Sequence, residues 1–101
     1  MMRLFFSHSL TTYDTPIEDK CLSLLRSKYP DCHIINPKYV QITEPINKPQ
    51  DFRRVMEDYI LPIVRSCNIL AWYKDDSYAP GVDMEIAEAT RLGIPIIKLE
   101  L

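Results

Sequence analysis

Asn68-Ile69-Leu70-Ala71-Trp72-Tyr73 opens the stretch that decides the fold, followed by a polar loop, Lys74 to Gly81, and then by Val82 to Leu92, Gly93, and Ile94 to Leu99. The first six residues are a short, nearly continuous apolar run and read as a buried strand. Val82 to Leu92 carries Val82, Ile86 and Ala89 on one helical face and predicts a helix, which Gly93 closes as its C-terminal cap. Ile94 to Leu99 is again apolar and predicts a last strand. A buried strand, a helix and a second buried strand form a parallel crossover unit.

Working back toward the N-terminus, the same alternation repeats. Arg3 to Ser7 predicts the first strand. Thr15, with Pro16 behind it and Glu18 three residues on, has the pattern of a capping box and starts a helix that runs to about Tyr29. Its apolar positions Ile17, Cys21, Leu24 and Leu25 keep the 3.6-residue period. Pro30-Asp31 stops it, and Cys32 to Asn36 predicts the second strand. Lys38 to Pro49 has no period and reads as a loop. Asp51 is the expected cap of a helix whose stripe is Phe52, Val55, Met56, Tyr59, Ile60, Ile63 and Val64. Pro62 predicts a kink there, since its ring crowds the carbonyl of Asp58. Strands and helices thus alternate β-α-β-α-β-α-β. This gives one α/β domain over residues 1–101: a small doubly wound, four-stranded parallel sheet of order 2-1-3-4 with helices on both faces.

Composition bounds the function. The chain has 101 residues, is 47% hydrophobic and 26% charged, and carries a formal net charge of −2. That balance fits a globular protein and lacks the basic surplus of a polymeric nucleic-acid binder or a polybasic membrane anchor. No apolar run approaches the roughly 18 residues of a membrane span, and the start lacks a signal peptide's cleavage site. The three cysteines, Cys21, Cys32 and Cys67, are widely spaced with no CxxC pair. They argue against a disulfide framework or a zinc site and fit a reducing cytoplasm.

In a doubly wound sheet, ligands bind beyond the carboxyl ends of the strands at the switch point, here between strands 1 and 3. That rim collects Ser7, His8 and Ser9 after strand 1, Asn36 after strand 2, and Asp75, Asp76 and Gly81 after strand 3. Glu85 is expected in the first turn or so of the last helix, where the helix dipole favours a carboxylate. Trp72 and Tyr73 alternate faces, so one packs under a helix. Tyr13 is placed to close over a ligand.

Gly81-Val82-Asp83-Met84-Glu85-Ile86-Ala87-Glu88-Ala89, followed by Leu92-Gly93-Ile94-Pro95-Ile96-Ile97, resembles the nucleoside 2-deoxyribosyltransferase superfamily. Ser66-Cys67-Asn68-Ile69-Leu70-Ala71 and Phe6-Ser7-His8-Ser9 are similar to the corresponding family segments, although family members often carry an aspartate at position 68. The resemblance implies N-glycosidic chemistry on a nucleoside or nucleotide, without metal or cofactor, with Glu85 as the nucleophile at the anomeric carbon. It implies Asp58 as a second carboxylate, with Ser7, His8, Ser9, Asn36, Asp76 and Gly81 around the substrate. It also implies a homodimer or larger homo-oligomer, with Met56, Tyr59, Ile60 and Ile63 as one candidate surface. The alternative reading is a non-catalytic nucleotide-binding module or interaction subunit on the same fold.

Overall fold

The computed structural model describes residues 1–40 and 47–101. Strand β1 spans Met2–His8, β2 Cys32–Ile35, β3 Ile69–Tyr73 and β4 Ile96–Lys98. All pair in parallel, in the order β2-β1-β3-β4. The helices are α1 (Pro16–Lys28), α2 (Pro49–Val55), α3 (Leu61–Arg65) and α4 (Pro80–Leu92), with 3-10 turns at Leu10–Thr12 and Pro37–Tyr39. The expected strand order, parallel sheet and two-sided helical cover are all present.

Side chains alternate across the pleat of β1 and supply both cores. Leu4 and Phe6 pack with Cys21 and Leu25 of α1 on one face. Phe5 packs with Met56, Ile60, Leu61, Val64 and Ala89 on the other, under the remaining helices. Met56 and Ile60 are therefore core residues and Tyr59 and Ile63 are partly buried against the same cluster, so this stripe is no free oligomer surface. Trp72 packs on the Phe5 side and Tyr73 on the Leu4 side, so both aromatics serve the cores.

The structure corrects several boundaries. Helix α2 is capped at Lys48, with Pro49 in its first position. Asp51 lies inside the first turn, where its carboxylate accepts the backbone N–H groups of Asn47 and Lys48. The expected kink at Pro62 takes the form of a π-helical segment, Met56–Ile60. Pro62 has no N–H for the carbonyl of Asp58, and the chain widens by one residue, so that the Leu61 N–H reaches Met56 O. Helix α4 begins at Pro80, two residues before the expected start, because proline suits the first helical position. At its other end Gly93, at φ 72°, completes a Schellman motif: its N–H reaches Thr90 O, and the Ile94 N–H reaches Ala89 O. Ile94 and Pro95 thus belong to the cap, and β4 starts later than the apolar run. The centre of the expected loop between β2 and α2, including Pro45, lies outside the described residues.

Candidate functional site

The carboxyl ends of β1 and β3 open into a cavity of about 410 Å³. Its walls come from the β1–α1 connection, the turn after β2, helix α2 with its π-helical extension, and the start of α4. This volume falls within the usual range for small-molecule sites.

Alternation along β1 sorts two polar pairs onto opposite faces of the sheet. Ser7 points to the α4 side, where its Oγ donates a 2.6 Å hydrogen bond to Glu85 Oε1. Ser7 is fully buried, Glu85 is 6% exposed, and Glu85 lines the cavity. Burial pushes the Glu85 carboxyl up to about 7, and the single bond from Ser7 only partly opposes it. This corrects the expectation of a first-turn carboxylate kept ionised by the helix dipole. With α4 starting at Pro80, Glu85 is the sixth helical residue and sits in the second turn, beyond the strong part of that field.

His8 points to the α1 side. Its ring stacks on Phe6, with centroids 3.8 Å apart, and lies 4.4 Å from the Tyr13 ring. His8 Nε2 is 2.7 Å from Glu18 Oε2, and Nδ1 is 3.2 Å from the Phe6 carbonyl. Glu18 is only 1% exposed. Its other oxygen, Oε1, accepts 2.7 Å from Lys38 Nζ and 3.3 Å from the Asp14 N–H. Burial alone would raise the Glu18 carboxyl, but the hydrogen bonds from Lys38 and His8 outweigh it and hold the group down to about 2. Burial lowers the His8 imidazole below its ordinary value against the pull of Glu18. Lys38 also donates to Asp14, at 2.7 Å, and Asp14 and Glu18 together raise its ammonium. Asp14 takes a left-handed turn, φ 59°, a conformation that aspartate tolerates better than most residues.

A second knot joins the β1 and β3 loops. Asp75 accepts from the hydroxyls of Thr11 and Ser77, and its own N–H donates to Ser9 Oγ at 3.3 Å. Those donors, Ser77 first, pull the Asp75 carboxyl down to about 2. Ser9 is buried beside the cavity, and its carbonyl anchors the turn to Thr12.

The structure therefore brings together Ser7, His8, Ser9, Gly81 and Glu85. Asn36 is buried just behind them, where its side-chain oxygen accepts the Lys38 N–H and supports the turn that presents Lys38. Asp58 and Asp76 are not brought in. Asp58 is exposed on the π-helical segment, whose buried face carries Met56 and Ile60. Asp76 is exposed in the β3–α4 loop, and its neighbour Asp75 makes the contacts there. Gly81 sits where α4 approaches α2: an added Cβ would lie 3.7 Å from Phe52 Cζ, an ordinary contact.

Sequence reasoning missed Glu18 and Lys38 as site residues. Thr15 does cap α1, accepting the Glu18 N–H at 3.5 Å, but the Glu18 carboxylate turns inward to His8 instead of completing the capping box. The signal available was a histidine at a strand end followed ten residues later by a glutamate in the first turn of a helix. Tyr13, expected to close over a ligand, does line the cavity. Burial raises its phenol above the ordinary value, and the charges of Glu85 and Glu18 add to that.

Sheet order and site position together define a small doubly wound α/β domain with its cavity at the switch point. The fold is shared with the crystal structure of a conserved protein from Enterococcus faecalis V583, at a TM-score of 0.66 and 16% sequence identity, over 97% of this chain and 62% of that one. At that identity the likeness concerns the fold alone, and the chain spans 62% of that protein's length. No family profile and no curated protein sequence matches the chain.

Proposed function

We propose that the cavity binds a nucleoside or nucleotide and that Glu85 acts on its N-glycosidic bond, by hydrolysis or by transfer to a second base. The observation that carries this reading is the buried Glu85 carboxyl lining the cavity with one oxygen held by Ser7. Ser7 fixes Oε1 and the rotamer, which leaves Oε2 for the sugar carbon. Departure of the base builds positive charge on the sugar ring, and a carboxylate in a water-poor site stabilises that charge and can trap it as a glycosyl ester. A carboxyl raised to about 7 is half ionised at neutral pH. Approach of the developing cation favours the ionised form.

The second reading, a module that holds a nucleotide without turning it over, is favoured by the exposed positions of Asp58 and Asp76, which leave Glu85 without a second carboxylate from the expected set. Chromatographic detection of free base separates the two readings. Incubation with deoxynucleosides, their 5′-monophosphates and ribonucleosides is expected to release base with the wild-type protein and none with Glu85→Gln. Thermal stabilisation by a nucleotide without base release would establish the binding module instead, since ligand at a hundred times its Kd adds about 2.7 kcal/mol.

A further inference from the structure

We propose, building on the N-glycosidic reading above, that the substrate class of this site is nucleosides whose base is already cationic before cleavage, such as N-alkylated purine or N-ribosylated pyridinium compounds. Cleavage of a neutral nucleoside requires a proton on the departing base, and a positioned general acid supplies it. The described residues around the cavity offer no free acid for that task. His8 has both ring nitrogens facing acceptors, Glu18 and the Phe6 carbonyl. Lys38 is spent on Asp14 and Glu18. The Thr11 and Ser77 hydroxyls are turned to Asp75. The Tyr13 phenol is held above its ordinary pKa and is a poor proton donor. The wall built by helix α2 and its π-helical extension presents only Phe52, Val55, Met56 and Ile60. A base lying against that wall meets a flat apolar surface and no acid.

A cationic base removes the need for one. A Glu85 oxygen forms the bond to the anomeric carbon, the carbon–nitrogen bond breaks, and its electron pair neutralises the positive ring nitrogen. The base leaves neutral, with no proton transferred. Water then releases the sugar, regenerates the Glu85 carboxylate and returns one proton to solvent. Local charge fits such a substrate. Four carboxylates, Asp14, Glu18, Asp75 and Glu85, stand around the cavity and its rim against the single ammonium of Lys38. The apolar and aromatic wall suits a planar cation, which aromatic faces attract.

The test is a matched pair. Base release from 7-methylguanosine and from guanosine is followed by chromatography with wild-type protein and with Glu85→Gln. The pH dependence is measured on nicotinamide riboside, whose base is a cation across the working range. The expected result is release from 7-methylguanosine at least about a hundredfold faster than from guanosine, the low end of what a general acid contributes. It is lost in Glu85→Gln. The nicotinamide riboside profile should rise as Glu85 ionises and then stay level. Guanosine cleaved within about tenfold of its methylated partner, or a rate that falls again at alkaline pH, reveals a general acid. Either result overturns the proposal while leaving N-glycosidic chemistry at Glu85 intact. No base from any of the three substrates, with the protein folded, overturns both.

Discussion

Glu18 and Glu85 are both buried, and their carboxyls move in opposite directions, to about 2 and to about 7. The difference is the supply of donors. Glu18 receives Lys38, His8 and the Asp14 N–H, whereas Glu85 receives one hydroxyl. The two therefore shape stability at opposite ends of the pH range. The fold raises Glu85 above its unfolded value of 4.5, so it favours the protonated form. The stability this gives is complete below the unfolded value and is lost as pH rises through about 7. Glu18 gives stability that is present above 4.5 and lost as pH falls toward about 2. Glu85→Gln cannot ionise. Relative to wild type it is expected to be more stable at pH 8 than at pH 5, by on the order of 3 kcal/mol. Urea unfolding of both proteins at the two pH values checks this, and an unchanged difference would show that Glu85 is not held in a desolvated state. Glu85 was legible as a site residue because it sits in a recognisable block, Gly81 to Ala89. Its protonation was not, because desolvation depends on what packs over the side chain.

At the scale of elements, the two glycines play different parts. Gly93 occupies the left-handed region at φ 72° with open space around its Cα, so its role is conformational. Gly93→Ala is expected to cost about 1–2 kcal/mol. Gly81 lies inside α4 with room for a Cβ, so Gly81→Ala is expected to leave stability unchanged or raise it by up to about 1 kcal/mol. Thermal melts of the two variants test the contrast, and equal losses would refute it. Gly93, Pro16 and Thr15 were readable because capping is local chemistry. The π-helical segment was readable only as a kink at Pro62. A missing N–H announces a defect, whereas the choice between a bend and a widened turn is made by the packing of Met56 and Ile60 against Phe5 and Leu70.

Over the whole molecule, β1 is the axis. It pairs with β2 and β3, feeds both cores, and ends in both polar pairs. A truncation there should be felt on both sides. Phe5→Ala, at a fully buried position, is expected to cost about 3–5 kcal/mol and to lower base release together with stability, because Ser7 follows it on the same face. Denaturant unfolding with the release assay run alongside measures both. Loss of stability with full activity would separate the site from the core.

The order of strands and helices, the parallel sheet, its 2-1-3-4 arrangement and the placing of Ser7, His8, Ser9, Gly81 and Glu85 at one rim followed from the sequence alone. Hydrophobic period, capping residues and the handedness of crossovers are local or nearly universal rules, and a short chain leaves them few alternatives. Tertiary structure alone decided which carboxylates face the cavity. Asp58 and Asp76 were as plausible by spacing as Glu85, and Glu18 looked like half of a capping box. Side-chain direction on a widened helix, and the meeting of residues 10 and 78 positions apart, arise only when the elements pack. Burial then sets the charge of each group, because desolvation and donor count are properties of the assembled interior.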